Sequence, residues 1–381
     1  MQFQCFTEYI YTNKIRTVNR YLKELNLMDI EILPVPHPKQ PNQDETKLVF
    51  GREFTNRMFT MPYTKDRGWH APKIEPYGPL TLDPAALVLH YAQEIFEGLK
   101  AFRRADGSIA LFRPRDNFER FNQSARRMCM PELDVDFCLE ALRELLKLER
   151  DWVPHTEGTS LYIRPTMIAT EPVLGVKPAD QYLFYMILSP VAAYYKGGVS
   201  PVRIWVSDEY VRVAPGGTGE AKTGGNYASS LYASTLAEQK GYDQVLWLDG
   251  IERKYIEEVG SMNICFVYDG KVVTSPLKGT ILNGITRRSI LTLVEEMGYE
   301  VEERALSIDE VIEGAESGRL KEAFGTGTAA VVSPVGHLTY KDKTVTISAG
   351  ETGSLTMQLY KTLTDIQYGH IEDTHGWITL L

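Results

Sequence analysis

Lys222 stands in "EAKTGGNYASS" (residues 220–230), followed by two glycines, an asparagine and a tyrosine. A lysine in this setting can serve three ends. It can be a solvated loop residue, as most lysines are. It can neutralise phosphate in a glycine-rich loop, or its amine can form a covalent Schiff base. The phosphate pattern G-x-x-x-x-G-K-[ST] is met only in part. Gly216, Lys222 and Thr223 are in place, but Ala221 stands where glycine lets the backbone bend around phosphate. Gly224, Gly225 and Asn226 further predict a break where a P-loop must open a helix.

A lysine that carries pyridoxal phosphate cannot act alone. The phosphate needs an arginine and backbone N–H groups, best supplied at a helix N-terminus. The pyridine nitrogen needs a carboxylate to hold the proton that makes the ring an electron sink. The phenolic oxygen gains from a hydrogen-bond donor. Candidates stand downstream of Lys222. "LNGITRRS" sets Gly284, Ile285 and Thr286 at a helix start, and "AFGTGTAAVVSP" brings Gly327, Thr328 and Ala329 to a turn. "YIEEVGSMN" ends a strand with Glu257 and Glu258. Each has a plain alternative, since glycine–threonine turns are common and paired glutamates usually form a solvated face.

These groups need rigid elements to hold them. "LKAFRRADGSIALFR" places Asp106-Gly107 between apolar runs, which predicts a hairpin. Phe118, Phe121, Ala125 and Met128 share one side of a helix over 116–128, with Asp116 as its N-cap. "FCLEALRELLKLERDW" predicts a second helix, and "TSLYIRPTMIA" and "QYLFYMILSP" predict strands. Beyond "SPVAAYYKGGVSP" (189–201), a linker by its glycines and prolines, a helix closes at Gly241. Hairpins are predicted around Asp249-Gly250 and Asp269-Gly270, and a further helix between Gly284 and Gly298. The chain is mixed α/β in two halves, without the regular βαβ spacing of a doubly wound sheet.

With 381 residues, 43% hydrophobic and 24% charged, the composition is that of a globular protein of about two domains. A net charge of -9 without a dense Lys/Arg run argues against nucleic-acid binding. The most apolar stretch, 182–195, contains Pro190 and is shorter than the ~20 residues of a membrane-spanning helix. Cys5, Cys129, Cys138 and Cys265 lack zinc-type or C-x-x-C spacing, which fits a reducing cytoplasm and no structural metal. Residues 1–27 lack a signal-peptide core, and Glu8 and Glu24 count against a transit peptide. The functional chain is expected to begin near Met28.

Taken together and in order, "KTGGNY", "EEVGSMNICF", "LNGITRRSI" and "FGTGTAAVVSPV" resemble the branched-chain amino acid aminotransferases, fold-type IV pyridoxal-phosphate enzymes. "LHYAQEIFEGLKAFR", "LFRPRDNFERFNQSARRM" and "LYIRPT" extend the resemblance through the first half, from about residue 45 onward. It implies a smaller N-terminal α/β domain (45–190), a linker (191–205) and a larger C-terminal mixed α/β domain (206–381), with pyridoxal 5'-phosphate at their interface. Residues 1–44 form an extension without counterpart.

The resemblance also implies roles. Lys222 forms the Schiff base and moves the substrate's α-proton. Glu258 partners the pyridine nitrogen, while Glu257 points the other way along the strand. Arg120, Ile285, Thr286 and Thr328 hold the phosphate, and Tyr227 donates to the phenolic oxygen. Phe50, Tyr91, Phe96, Tyr162 and Tyr194 form an aromatic pocket for branched side chains. Arg164 receives glutamate's second carboxylate, and Ser261 and Ala329 position the α-carboxylate. Ser261 stands where many relatives carry threonine. Ala330 and Ser333 stand where animal members carry a C-x-x-C pair, so no thiol switch is expected there. The expected function is a homodimeric cytoplasmic enzyme exchanging amino groups between leucine, isoleucine or valine and 2-oxoglutarate, with glutamate as product. Another fold-type IV enzyme, such as a D-amino-acid aminotransferase or aminodeoxychorismate lyase, is the alternative, and a P-loop-like nucleotide-binding protein a remote one.

Overall fold

The computed structural model describes residues 28–42, 44–192 and 199–381, so Tyr194 lies outside the described residues. A first sheet uses β1 (Glu31–Ile32), β2 (Arg57–Thr64), β3 (Gly68–Trp69), β4 (Lys73–Pro76), β5 (Glu94–Phe96), β6 (Leu99–Arg103), β7 (Ile109–Phe112), β8 (Ser160–Ala169) and β9 (Gln181–Val191). Its order is β1-β4-β2-β9-β8-β6-β7, with β3 beside β2 and β5 beside β8. The two expected strands pair antiparallel along their length, from Ser160 opposite Val191 to Ala169 opposite Tyr182. The Asp106-Gly107 hairpin joins β6 to β7 as its turn chemistry requires.

Helices α1 (Leu87–Tyr91), α2 (Pro114–Arg127) and α3 (Val135–Leu148) accompany this sheet. The sequence places the start of α2 at Asp116; the structure places it two residues earlier. Arg113 is left-handed (φ 48°) and Pro114, whose fixed φ suits a first helical position, opens the helix. Asp116 instead accepts from Arg113 Nε at 2.8 Å and Arg288 Nη2 at 2.9 Å. Phe118, Phe121 and Ala125 are buried, and Phe121 meets Phe184 edge-on at 5.5 Å. Each such ring contributes roughly 1.5–3 kcal/mol by leaving water.

The second sheet uses β10 (Val202–Ser207), β11 (Gln244–Leu248), β12 (Ile256–Val259), β13 (Met262–Tyr268), β14 (Lys271–Thr274), β15 (Glu300–Glu303), β16 (Glu322–Gly327), β17 (Val331–Tyr340) and β18 (Lys343–Thr346). Its order is β12-β11-β10-β17-β16-β13-β14-β15, with β18 beside β17. Around it lie α4 (Gly224–Ala228), α5 (Leu231–Gln239), α6 (Ile285–Glu296), α7 (Ile308–Glu316) and α8 (Ser354–Tyr368). Alternation along β13 feeds two cores. Ile264 and Phe266 enter one packed with α7, while Cys265 and Val267 enter another that includes α6 and α8.

That second core also takes in Phe102 and Phe112 from the first sheet, so the halves share apolar packing. A last strand, β19 (Ile378–Leu380), returns to the first sheet and pairs antiparallel with β7. The boundaries expected from sequence therefore shift. The first unit reaches back to β1, with Met28 and Ile30 against its core, and forward to β19. The second sheet begins at Val202, inside the expected linker, because β10 continues its pairing with β17 to that residue.

Candidate active site

Lys222 is fixed through its backbone by elements of the first half. Its N–H donates to Ser124 Oγ on α2 at 2.9 Å, and its carbonyl accepts from Phe96 N on β5 at 3.0 Å. Thr223 Oγ1 adds a bond to Glu94 O at 2.6 Å. The motif's other residues shape the loop. Asn226 Nδ2 donates to Thr218 O and Ala221 O, both at 2.8 Å, stapling the approach to the lysine. At Gly224 a Cβ would lie 2.0 Å from Glu94 Oε1, so any side chain there displaces that carboxylate. The break predicted at Gly224 does not occur; these residues begin the short α4, with Thr223 as N-cap. Lys222 Nζ donates to Tyr227 Oη at 3.0 Å and lies 4.9 Å from the Phe96 ring centroid.

Glu258 faces the same region from the end of β12. It is 4% exposed, ion-paired with Arg212, and accepts from Asn263 Nδ2 at 3.0 Å. Burial pushes its carboxyl up to about 7 against the pull of Arg212; Glu257 adds to the rise and Lys222 opposes it. Arg212, Tyr227, Glu258 and Ser261 line one small cavity, and Tyr227 and Ser261 also line the larger one that holds Lys222.

Arg120 is buried in α2 and grips Glu97 with both faces of its fork, Nε to Oε1 at 2.7 Å and Nη2 to Oε2 at 2.9 Å. Nη1 donates to Asn283 O at 3.1 Å, just before the N-terminus of α6. A guanidinium has five N–H groups, so two remain beyond these three bonds. Ile285 and Thr286 form the first turn of α6, where amides lack intrahelical acceptors. They line a small cavity with Lys100, Gly327 and Thr328. Lys100 Nζ donates to Ala329 O at 2.9 Å, and burial lowers its pKa to about 8. The turn it holds ends at Val331, a β-branched residue at φ 63°, a strained conformation that costs about 1–3 kcal/mol.

The main cavity, of about 400 Å³, lies between Lys222 and an aromatic wall. Phe50, Phe96, Tyr162 and Arg164 form one side, and Ser261, Thr328 and Ala329 another. Phe50 meets Tyr162 edge-on at 4.8 Å. Arg164 lies over the rings of Phe96 (4.6 Å) and Tyr162 (5.2 Å), and Nη2 donates to Tyr162 Oη at 2.9 Å. Gly98 admits that hydroxyl, since a Cβ there would lie 2.0 Å from it.

The site thus gathers most residues expected from sequence. Tyr91 is not among the lining residues of this chain: its hydroxyl donates to Leu174 O and its side chain is exposed. Glu257 is buried as well, not solvated, with its carboxyl raised by desolvation. Missed were Glu97, Lys100, Arg212, Asn263, Gln244 and Met262, the last two lining the main cavity. Glu97 and Lys100 lie inside the quoted "FEGLK" run, and a charge at each end of an apolar strand start was the available signal.

The sequence profile described as "Amino-transferase class IV" matches residues 94–338. Over 341 residues the chain is 55% identical to branched-chain-amino-acid aminotransferase 2 of Bacillus subtilis, covering 90% of this chain and 94% of that protein. It is 52% identical over 356 residues to a probable branched-chain-amino-acid aminotransferase of Streptomyces coelicolor, covering 92% and 98%. Among solved structures, the branched-chain amino acid aminotransferase of Escherichia coli superposes with a TM-score of 0.69 at 27% identity, covering 84% of this chain and 98% of that one. The T.th. branched-chain amino acid aminotransferase complexed with N-(5'-phosphopyridoxyl)-L-glutamate gives 0.68 at 27% identity, covering 84% and 97%.

Proposed function

Because the chain belongs to the class IV aminotransferase family, we propose that the cavity at Lys222 is an active site for moving an amino group. The activity is reversible transfer between a branched-chain L-amino acid (leucine, isoleucine or valine) and 2-oxoglutarate, giving the branched-chain 2-oxo acid and L-glutamate. The observation that carries this is the convergence of Lys222, the aromatic wall, Arg164 and the Gly327–Ala329 turn on one cavity, with buried Glu258 beside it. The test is transfer from L-leucine to 2-oxoglutarate by the purified protein. Transfer confined to D-amino acids would favour the alternative member of the fold type.

Pyridoxal 5'-phosphate fits the residues present. Lys100 is a desolvated cation whose acceptor among the described residues is a carbonyl rather than a carboxylate, and it borders the first turn of α6, a combination suited to an anion. Arg120, Ile285, Thr286 and Thr328 would hold the phosphate, Tyr227 the phenolic oxygen and Glu258 the pyridine nitrogen. When bound, the cofactor supplies an aldehyde for the amine and a ring that takes up electron density as the Cα–H bond breaks. Lys222 Nζ moves the proton at Cα, within reach of the Tyr227 hydroxyl that steadies it. Ser261 and the backbone at Ala329 orient the α-carboxylate. The walls of Phe50, Phe96 and Tyr162 exclude water around an aliphatic side chain, and Arg164 waits behind them for a second carboxylate.

Arg164→Met should therefore weaken glutamate and 2-oxoglutarate more than leucine, by one to two decades in kcat/KM, or roughly 1.4–2.7 kcal/mol. Steady-state rates for each half-reaction measure it, and equal losses in both would assign Arg164 to structure. We also propose a homodimer. Leu89, Tyr91, Leu174 and Val176 form an exposed apolar group (58%, 42%, 62% and 82%) around α1, the kind of surface a second copy covers. Val176→Asp should lower the mass measured in solution from two chains to one; an unchanged mass would move the interface elsewhere. A cytoplasmic setting accords with thiols left free at Cys129, Cys138 and Cys265, and no helix among the described residues is long and apolar enough to cross a membrane.

A further inference from the structure

The carboxylate at Glu258 has a partner of its own before any ligand arrives. Arg212 is 8% exposed and its Nη2 pairs with Glu258 Oε2. The same Nη2 lies 3.0 Å from Thr280 O and 3.4 Å from Gly219 O, carbonyls of the two loops that flank the site. Gly219 packs so closely on Thr280 that a Cβ would stand 2.4 Å from its carbonyl oxygen. One guanidinium thus ties the strand end that carries Glu258 to the loop that runs into Lys222. The pair is buried, and such a pair is costly to break on one side only.

We propose that Arg212 is a positioning residue that keeps Glu258 ionised, and so sets the pH below which the ring nitrogen loses its ionic partner. The proposal rests on the assignment of Glu258 to that nitrogen under the function above. The groups facing Glu258 are Arg212 from the segment after β10, Glu257 on its own strand, Asn263 from β13, Lys222, and the backbone at Leu282. Of these, Arg212 and Lys222 are the cations, and Lys222 is committed to the amine chemistry. Burial and Glu257 favour the neutral carboxyl, so removing the Arg212 charge leaves protonation favoured near neutral pH. A neutral carboxyl donates to a ring nitrogen without holding a full charge against it, and the ring then stabilises less of the charge that develops at Cα. The sign follows. The needed form is deprotonated, so rate is lost as pH falls through the Glu258 pKa, and losing Arg212 moves that loss to higher pH.

Two variants of the full holoenzyme separate charge from shape. Arg212→Gln keeps hydrogen bonding without charge; Arg212→Lys keeps charge with a poorer fork. For each, the pH profile of kcat and the pH titration of the visible cofactor band are measured together. For Arg212→Gln the acidic limb of both should rise by about one pH unit or more, which is about tenfold in rate on the limb. Activity should recover as the pH is raised, and both half-reactions should fall by one factor. Arg212→Lys should leave the limb where it stands in the wild type, even if its amplitude drops. If both variants lose amplitude alike with the limb unmoved, Arg212 only braces the loops and the proposal is wrong. If Arg212→Gln does not fold, Arg212→Leu takes its place as the uncharged variant: a limb raised above that of Arg212→Lys supports the proposal, and a limb unmoved in both overturns it. A wild-type protein without the band or without transfer would remove the underlying function as well; a wild-type protein with both leaves that function standing whatever the variants do.

Discussion

Lys222→Ala should retain less than about one ten-thousandth of the wild-type transfer rate, a barrier higher by roughly 5 kcal/mol or more. The loss should come without unfolding, because the residue's anchoring bonds are made by its backbone. The N–H to Ser124 Oγ and the carbonyl to Phe96 N survive truncation at Cβ. Among the described residues no nearby amine can stand in. Lys100 borders the anion cup, but its Nζ is turned to Ala329 O at 2.9 Å and its strand is held between β7 and β8. Borohydride reduction of the wild type followed by peptide mapping should fix the cofactor to the peptide containing residue 222, and the variant should take up no label. A label on Lys100 in either protein would overturn the assignment. Melting of the variant should stay close to wild type, which separates lost chemistry from lost structure.

Glu97→Gln should lower unfolding stability by about 3–5 kcal/mol, the usual cost of leaving one member of a buried ion pair uncompensated. Glu97 is fully buried, and both its oxygens are used by Arg120, with Oε2 also accepting from Gly98 N at 3.1 Å. The amide keeps the shape yet sets an NH₂ group against a donor. Arg120 then carries a buried charge without its counterion, and a phosphate group becomes the remaining compensation. The variant's stability should consequently depend on added cofactor more steeply than that of the wild type, since whatever binds only the native state stabilises it by mass action. Denaturant unfolding with and without excess cofactor reads both effects. A loss under about 1 kcal/mol, with no difference between the two conditions, would show that the pair is not what holds Arg120 in place.

What the sequence disclosed follows from the range over which each feature is determined. Lys222, Tyr227, Gly284 to Thr286 and Gly327 to Ala329 belong to short runs whose glycines, threonines and asparagine already fix the local backbone, and these were legible. The hairpins at Asp106-Gly107 and Asp269-Gly270 were legible for the same reason. Glu97, Lys100 and Arg212 take their meaning from partners farther along the chain, Lys100 from a carbonyl 229 residues away; the charges of the "FEGLK" run mark two of these positions without naming their partners. The start of α2 was misplaced because Asp116 is a common cap, whereas the structure lets Arg113 adopt φ 48° and spends Asp116 on two arginines. Tyr91 belongs to the aromatic set by type, but the path of α1 sends it to Leu174 instead.

The strand formed by Ile378–Leu380 covers the free side of β7, although the whole second half of the sequence separates the two. On a ribosome, β7 is made well before its partner, at an elongation rate that leaves the gap open for on the order of tens of seconds. Through that interval the nascent first sheet carries an unpaired border of Ile109–Phe112, all apolar, with its backbone groups free to recruit a strand from a neighbouring chain. Emergence of Ile378–Leu380 is therefore the event that seals the sheet. Thr379→Pro, which places a residue without an N–H opposite Leu111, acts on that sealing step, and the yield of soluble protein from the variant should fall below that of the wild type.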